Sequence, residues 1–240
     1  MAVQIYFSQY EQDKFIDQVV LNKKREGFFV DIGAHDGISL SNSYFFEKER
    51  NFGGVCIEPN PSVFEQLTKN RTCSLLNVCI AAEEKKVKFL TIQGYSEMLS
   101  GIVDQYHPDH LQRIDNYIAA FGGGKKEIEV DAIPLHRIKE LDGKKIDFIS
   151  IDTEGNELNI LNSLDFSKFK VKCFTIENNY GDKKIDALMS AKGYLKVYRL
   201  GDDDIYLLKK KYSIGFRIRR RLFLSRSKKI DNSVLPQPIK

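Results

Sequence analysis

Short apolar runs alternate with amphipathic segments along most of the chain. The apolar runs have the length of buried strands, and the segments between them carry apolar residues at helical spacing. The predicted strands are 28–32, 54–58, 74–79, 87–91, 127–133, 146–151, 171–177, 194–200 and 205–208. The predicted helices are 8–22, 38–50, 61–70, 108–121, a short one from Pro134, 156–163 and 182–192. This alternation predicts an α/β fold with a mainly parallel sheet and helices on both faces.

The last two predicted strands form a separate pattern. Only Gly201-Asp202-Asp203-Asp204 lies between them, and such a turn sequence predicts an antiparallel hairpin. We therefore expect a doubly wound, mainly parallel sheet with a closing antiparallel hairpin. Since the chain has no internal repeat, we expect one domain over 1–208, with an insertion at about 93–126 and a basic tail over 209–240.

The composition is typical of a soluble globular protein. The chain has 240 residues, 42% of them hydrophobic and 29% charged, which is enough for one large domain with a single core. No apolar run approaches the roughly 20 residues that a membrane-spanning helix needs, and the first residues lack the pattern of a secretory signal. The four cysteines form no Cys-x-x-Cys pair. We therefore expect reduced thiols in a cytoplasmic protein.

The net charge of +4 hides an uneven distribution. The basic tail contains eleven Lys or Arg and one acid, while the first 208 residues contain 26 bases and 32 acids. Apolar residues lie between the arginines from Ile214 to Leu224, and this combination suits an anionic membrane face. A solvated C-terminus and a nucleic-acid contact are the alternatives. The acidic body makes nucleic acid the less favoured partner.

The strongest sign of a ligand site follows the first predicted strand. Phe28 to Ile32 leads into Gly33-Ala34-His35-Asp36-Gly37. A buried strand, a glycine-containing turn and a helix form a nucleotide-binding crevice, because glycine lets backbone approach a ligand closely. The next strand ends in Glu58, 21 residues past Gly37, where such folds place the acid that binds ribose hydroxyls. The two features together predict a ribose-containing cofactor rather than an ordinary turn.

The same turn distinguishes between two such cofactors. A dinucleotide fold has Gly-x-Gly-x-x-Gly, whereas this turn has His35 at the second glycine position, and Asp31 and Asp36 would repel a pyrophosphate. Two carboxylates suit instead the cationic ammonium and sulfonium groups of S-adenosylmethionine. We therefore expect S-adenosylmethionine, with a dinucleotide as the alternative.

A second group of acids follows the strand predicted over 146–151. Asp152 comes at the end of this strand, and Glu154 follows two residues later. In open α/β sheets, ligands bind beyond the carboxyl ends of the strands. We therefore expect both side chains to point into the crevice that Asp31 and Glu58 line. The alternative is that Asp152, or the threonine after it, only caps the next helix.

Three segments resemble the main sequence blocks of FkbM-type methyltransferases. They are Val30–Gly37, Ile57–Pro61 and Ile151–Glu157, which read VDIGAHDG, IEPNP and IDTEGNE. The opening Ser8–Asp13 is similar to the family's Ser-Gln-x-x-Gln-Asp motif, and 95–114 resembles an insertion in one branch. The resemblance covers roughly residues 8 to 208 and leaves out the basic tail. It implies a class I O-methyltransferase with a Rossmann-like, doubly wound, mainly parallel seven-stranded sheet. Such an enzyme uses S-adenosylmethionine and acts on sugars or polyketide-derived molecules.

Carried over position by position, the resemblance also implies roles for single residues. It places Asp31, Gly33 and Gly37 at the aminoacyl end of the cofactor, Glu58 at the ribose and Asp152 near the sulfonium. The full set of predicted cofactor-binding residues is Asp31, Gly33, Ala34, His35, Gly37, Glu58, Pro59 and Asp152.

Transfer to a hydroxyl calls for a base, because an alcohol is a weak nucleophile. His110 is the preferred base, since the free pKa of histidine suits proton transfer at neutral pH. Asp152, Glu154 and Asp104 are the alternatives, and a bystander role for His110 near the start of its helix stays open. A carboxylate pair could instead hold a divalent cation. We predict no metal site, because the sequence shows no metal-ligand spacing.

The sequence thus predicts a cytoplasmic O-methyltransferase whose acceptor is a hydroxyl of a sugar, nucleotide-sugar or glycan. The basic tail would hold such an enzyme at the inner membrane face. The alternatives are an RNA ribose 2′-O-methyltransferase, a dehydrogenase, and a non-catalytic membrane-associated binding protein with the same fold.

Overall fold

The computed structural model describes residues 4–226. The strands in this part are β1 (Phe28–Ile32), β2 (Gly53–Ile57), β3 (Ser74–Leu76), β4 (Cys79–Ile80), β5 (Lys85–Gln93), β6 (Gly101–Ile102), β7 (Gly124–Ile133), β8 (Ile146–Ile151), β9 (Val171–Glu177), β10 (Tyr194–Leu200) and β11 (Asp203–Leu208). The helices are α1 (Gln12–Phe15), which continues as a π-helix over Ile16–Val20, α2 (Tyr44–Arg50), α3 (Pro61–Asn70), α4 (Pro108–Phe121), α5 (Glu157–Ser163), α6 (Lys183–Ala191) and α7 (Ile214–Arg226). The short helix predicted from Pro134 is a 3₁₀ turn.

The described strands form one sheet of seven, in the order β10-β11-β9-β8-β1-β2-β3. The strands from β9 to β3 run parallel to one another, and β11 is antiparallel to both of its neighbours. The register places Val30 opposite Val55 on one side and Ile149 on the other. The predicted mainly parallel sheet with a closing antiparallel hairpin is confirmed.

Two hydrophobic clusters cover the two faces of this sheet. Phe148 belongs to the cluster that also contains Phe15 and Phe45, while its neighbour Ile149 belongs to the cluster that contains Leu161. Successive side chains of a strand point to opposite faces, so a strand covered on both faces needs apolar residues at consecutive positions. All six residues of β8 are buried. This double burial explains the unbroken apolar runs in the sequence.

Two of the predicted strands lie outside this sheet. The strands predicted over 87–91 and 127–133 become β5 and β7, which pair antiparallel and form a second sheet in the order β4-β7-β5-β6. Both are only partly buried, and an antiparallel sheet can leave one face in water. The strand predicted over 74–79 is divided between the two sheets. The division comes at Asn77, whose side chain donates a hydrogen bond to the Glu58 carbonyl at 2.7 Å.

Helix α2 begins at Tyr44 rather than at the predicted Ile38. Asp36 accepts a hydrogen bond from the Ile38 N–H at 2.9 Å, and the Ser41 hydroxyl oxygen accepts one from the Tyr44 N–H at 3.1 Å. Side chains that bind nearby backbone groups compete with the hydrogen bonds of a helix. The prediction of a helix was therefore wrong for the first six of its residues.

The first part of the basic tail packs on the domain as helix α7. Its residues Phe216 and Phe223 are buried in the same cluster as the N-terminal helix. The Arg219 side chain donates a hydrogen bond through Nε to the Val19 carbonyl at 2.9 Å. Residues 227–240 of the tail lie outside the described part of the chain. No helix among residues 4–226 is long and apolar enough to cross a membrane.

Phe223→Ala is expected to lower the free energy of unfolding by about 3 kcal/mol. The substitution removes a ring that packs edge-to-face on Phe15 at 5.2 Å. Leu222→Ala is the matched control, because Leu222 is 49% exposed on the same helix, and its effect should stay within about 0.5 kcal/mol. Urea unfolding followed by circular dichroism measures both. Equal effects of the two variants would mean that α7 is not held by this contact.

Candidate active site

A cavity of about 290 Å³ opens at the carboxyl ends of β1, β2, β8 and β9. Eight of the eleven predicted site residues line it: Asp31, Gly33, Ala34, His35, Glu58, Pro59, Asp152 and Glu154. Gly37, Asp104 and His110 do not. The structure therefore brings most of the predicted residues to one place, and the three others need separate accounts.

Gly33 lies where the loops after β1 and β8 touch. The Asp152 N–H donates a hydrogen bond to the Ile32 carbonyl at 3.0 Å. Gly33 has a φ of +87°, and a Cβ at this position would lie 1.7 Å from the Asp152 carbonyl oxygen. Only glycine fits there, because any side chain would collide with backbone. Gly33 thus allows the loops after β1 and β8 to approach each other closely, rather than only allowing a ligand to approach the backbone.

Gly37 serves the packing of helix α3 rather than the lining of the cavity. Its φ is +83°, and a Cβ would lie 2.5 Å from the Leu67 side chain and 2.6 Å from that of Arg71. Arg71 also donates a hydrogen bond to the Gly37 carbonyl at 3.0 Å. The predicted contact between Gly37 and a cofactor is therefore not supported by its position, since Gly37 packs against α3 and does not line the cavity.

Asp31 is buried at the end of β1, and the protein satisfies one of its oxygens. The Ser43 hydroxyl donates a hydrogen bond to Asp31 Oδ2, and Arg71 donates to the same hydroxyl at 3.0 Å. Burial raises the pKa of Asp31, although the Ser43 hydrogen bond and the Arg71 charge act in the opposite direction. Asp31 thus lines the cavity, and the hydrogen bonds of Ser43 and Arg71 hold its side chain in place.

Glu58 accepts hydrogen bonds with both carboxylate oxygens. Oε2 accepts from the His35 N–H at 3.0 Å, and Oε1 accepts from the Asn60 N–H at 2.8 Å. Burial raises the pKa of Glu58 to about 7, and the charge of Glu97 acts in the same direction. Each carboxylate oxygen can accept more than one hydrogen bond. Glu58 therefore joins two turns and retains the capacity to bind hydroxyl groups.

His35 lines the cavity in the left-handed backbone conformation, with a φ of 48°. Its Nε2 atom is buried without a hydrogen-bond partner and lies 3.6 Å from Glu97 Oε1. Burial alone would lower the pKa of His35, but the carboxylates of Asp36, Glu58 and Glu97 raise it above its ordinary value. The imidazole is thus a charge partner for the acids around it.

A compact group of carboxylates lies at the ends of β8 and β9. Asp152, Glu154 and Glu177 offer oxygen atoms within 4.8 Å of one another. Burial, followed by repulsion from Asp203 and Glu157, raises the pKa of Asp152 to about 8. Burial and repulsion from Asp152 also raise the pKa values of Glu154 and Glu177. We call these three residues the acidic cluster.

The acidic cluster needs a positive charge for compensation. Three carboxylates this close repel one another unless protons, an organic cation or a metal ion offset their charges. Their oxygens are ligands of the kind that divalent cations take, although no metal site was predicted. The sequence could not show this grouping, because Glu177 reaches it only through the pairing of β8 with β9.

The neighbouring acid Glu157 has a different role. Its Oε1 atom accepts hydrogen bonds from the Thr153 N–H at 2.9 Å and the Gly155 N–H at 3.1 Å, so it holds the loop that carries Glu154. The residue at the start of α5 is Asn156. The alternative in which Asp152 or Thr153 caps this helix is therefore wrong, and Asp152 stays available to the cavity.

His110 lies next to Glu154 of the acidic cluster and does not line the cavity. It is 1% exposed, its ring stacks on Tyr106 at 5.1 Å, and its Nδ1 atom lies 3.5 Å from Glu154 Oε2. Burial, together with the charge of Arg113, lowers the pKa of His110 to about 4. Its helix is amphipathic and turns this side chain inward. His110 can thus influence Glu154, but it does not reach a bound molecule in this structure.

Asp104 is exposed on a 3₁₀ turn outside the cavity. The sequence prediction that made it a possible base is not supported by this position.

Sequence reasoning missed Asp203, which lines the cavity from the closing hairpin. Its Oδ2 atom accepts hydrogen bonds from Gln12 at 3.0 Å, Thr175 at 3.3 Å and Asn42 at 3.4 Å. Burial raises its pKa to about 6. The density of acids in the hairpin turn was the available signal. In the sequence this density indicates only a turn, because the position of the hairpin beside β9 is not visible there.

The sheet order and the carboxylate-lined cavity at its edge define the class I methyltransferase fold. The chain belongs to the family of the methyltransferase FkbM domain, whose family model matches residues 31–196. The resemblance found in the three sequence blocks is thereby confirmed. Family and fold imply S-adenosylmethionine as the cofactor.

Several solved structures are similar to parts of this chain. Methyltransferase FkbM from Methylobacillus flagellatus is 16% identical with a TM-score of 0.44, and the match covers 76% of this chain and 43% of that one. Precorrin-6y C5,15-methyltransferase from Geobacter metallireducens is 12% identical with a TM-score of 0.38, over 86% and 90% of the two chains. A methyltransferase from Pyrococcus furiosus is 11% identical with a TM-score of 0.39, over 82% of each.

This chain thus spans less than half the length of the first of these proteins. No match was found among the curated proteins.

Glu58→Gln is expected to weaken the binding of S-adenosylhomocysteine about tenfold or more, because hydrogen bonds to a charged acceptor are lost. Isothermal titration measures the affinity. Glu65→Gln is the matched control, since Glu65 is exposed on α3 and should leave the affinity unchanged. If both variants bind as tightly as the wild type, Glu58 only joins the two turns and does not bind the cofactor.

The affinity for S-adenosylmethionine is expected to rise with pH and to level off above about pH 8. Asp152 and Glu58, with pKa values of about 8 and about 7, carry protons near neutral pH in the free protein. A cationic ligand binds best to the ionised carboxylates, so its binding displaces these protons. S-adenosylhomocysteine lacks the sulfonium charge and should show a smaller rise. Titrations across this pH range test the difference, and a flat profile for both ligands would contradict it.

Proposed function

We propose that the protein is an S-adenosylmethionine-dependent O-methyltransferase whose acceptor is a hydroxyl of a sugar, nucleotide-sugar or glycan. The observation that carries the proposal is the position of the acidic cluster. It lines the same cavity as Glu58, Arg113 and Tyr117. Cofactor and acceptor could thus meet beside carboxylates that can accept a proton.

The residues of the cavity fit S-adenosylmethionine. Within the described chain, Arg113 is the one Lys or Arg among the lining residues, whereas acids line the cavity from four strand ends. Such a lining suits a cationic ligand. Glu58 has acceptor capacity for ribose hydroxyls, and apolar residues such as Val63 and Phe89 suit an adenine ring. When bound, the cofactor supplies a methyl group on a positively charged sulfur atom.

Glu154 is the residue best placed to accept the proton of the acceptor hydroxyl. It lines the cavity, and its Oε2 atom has no hydrogen-bond partner among the described residues. A carboxylate with a raised pKa is a stronger base, and burial and Asp152 raise that of Glu154 while Arg113 favours its ionised form. Glu154 therefore takes the role that the sequence analysis preferred for His110.

His110 then acts through Glu154 as a positioning residue. Its Nδ1 atom lies 3.5 Å from Glu154 Oε2. Because the pKa of His110 is lowered to about 4, mainly by burial, the imidazole is neutral at neutral pH. A neutral imidazole nitrogen can accept a hydrogen bond from Glu154 after that residue has been protonated. Asp152 is the second candidate for the base, at the end of the adjacent strand.

The acceptor side supports a sugar that carries a phosphate group. Tyr10 and Tyr117 line the cavity, and the Arg113 guanidinium lies 5.6 Å from the Tyr117 ring centroid. Aromatic rings offer flat apolar surface with a polar edge, which suits the face of a sugar ring. A guanidinium binds phosphate through two parallel hydrogen bonds. These features favour a nucleotide-sugar within the broader class of sugar acceptors.

The proposed location is the cytoplasm. The four cysteines are free thiols, as is usual for proteins in reducing compartments.

Methyl-labelled S-adenosylmethionine and the purified full chain test the activity. Three acceptor pools are compared: nucleoside diphosphate sugars, neutral oligosaccharides and RNA. We expect label in the first pool. Label only in RNA would assign the ribose 2′-hydroxyl instead. Cofactor binding without transfer to any pool would favour the binding-protein alternative, and binding of NADH in place of S-adenosylhomocysteine would overturn the cofactor.

Glu154→Gln is expected to lower kcat by about 10²-fold or more, because a general base typically contributes that much, while cofactor affinity changes little. Glu140→Gln, at an exposed position, is the matched control. His110→Ala should lower kcat less and shift the pH–rate profile, since it changes the surroundings of the base. Full activity of Glu154→Gln would remove Glu154 as the base.

A further inference from the structure

Helix α7 has a second apolar surface besides the one that packs on the domain. Ile214, Ile218 and Leu222 are 73%, 55% and 49% exposed. They recur at every fourth residue, so their side chains form one continuous row along the helix. We call these three residues the α7 stripe.

The contacts of the opposite face determine where the α7 stripe points. Phe216 and Phe223 are 1% and 5% exposed and pack into the core. The Arg219 side chain is bonded to the Val19 carbonyl. Since each residue turns the helix by about 100°, the stripe lies on the far side of α7 from Phe216. The packing that holds the helix therefore also presents the stripe outward.

Positive charge surrounds the α7 stripe. Lys209, Lys210 and Lys211 are exposed in the turn that precedes the helix, and Arg217 and Arg221 are exposed beside the stripe. No acid occurs between residues 209 and 226. The surface is thus apolar along one row and cationic along its border. This charge is complementary to a surface of anionic lipid headgroups.

We propose that α7 binds an anionic lipid bilayer through the α7 stripe and the basic residues beside it. Aliphatic side chains can enter the boundary between headgroups and acyl chains, while the long stems of lysine and arginine let their charges reach the headgroups. The helix would lie parallel to the membrane plane. This inference is independent of the proposed methyl transfer, since none of these residues lines the cavity.

Two other partners fit the surface less well. A second copy of the chain would bring two cationic borders together, and like charges repel. Nucleic acid would meet the basic residues, but the stripe consists of aliphatic side chains and offers no aromatic ring on which bases could stack. A bilayer uses both the apolar row and the charges.

Co-sedimentation of the full chain with vesicles tests the proposal. Phosphatidylcholine vesicles are compared with vesicles that also contain about 30% phosphatidylglycerol. We expect binding to the anionic vesicles only. Ile218→Asp should weaken this binding about tenfold or more, because it places a charge in the apolar row. The double variant Arg217→Gln with Arg221→Gln should weaken it about tenfold and reduce its salt dependence.

Leu111→Asp is the matched control, because Leu111 is 40% exposed on another helix and should leave vesicle binding unchanged. Thermal unfolding confirms that each variant is folded. Equal binding of the wild type and Ile218→Asp would overturn the proposal. Self-association that Ile218→Asp abolishes would assign the stripe to a second copy, and a preference for an RNA oligonucleotide over vesicles would assign the charges to nucleic acid. Either result would also overturn it.

Discussion

The pairing of β1 with β8 at the centre of the sheet is the constraint on which the cavity depends. The Asp152 N–H is bonded to the Ile32 carbonyl, and Gly33 allows the two following loops to touch. Asp31 and Asp152 are thereby held at the same edge. Because both strands are buried on two faces, neither can shift its register without moving apolar side chains out of the core. The acids are thus held in place by the packing of the whole sheet.

The protein satisfies the acids of the cavity to different degrees, and this difference points to the chemistry. Asp31 accepts a hydrogen bond from a hydroxyl group, and Glu58 accepts hydrogen bonds from two backbone N–H groups. The acidic cluster has fewer hydrogen-bond partners, because one oxygen of Glu154 has none among the described residues. A buried carboxylate oxygen without a hydrogen-bond partner is costly to keep charged. The same lack of partners leaves a carboxylate oxygen able to accept a proton.

Two helices combine a buried packing face with a face that is free to contact another molecule. Helix α4 buries His110 against Glu154 and turns Arg113 and Tyr117 toward the cavity. Helix α7 buries two aromatic rings and leaves the α7 stripe exposed. In both helices the buried side chains fix the orientation of the helix and so the direction of its other face. The enzyme we propose would therefore hold its acceptor with α4 and its membrane with α7.

The central sheet is predictable from sequence alone, because a strand covered on both faces requires an unbroken apolar run. The sequence also locates the acids at the ends of β1, β2 and β8. It did not determine which strands leave that sheet, since half-buried strands such as β5 and β7 carry a weaker pattern that fits more than one partner. It also missed the parts of the site that come from distant neighbours. Glu177 and Asp203 reach Asp152 only through strand pairing, and the burial of His110 follows from the packing of α4. Proximity of this kind is a property of tertiary structure, because side chains far apart in the chain interact only after the sheet has formed.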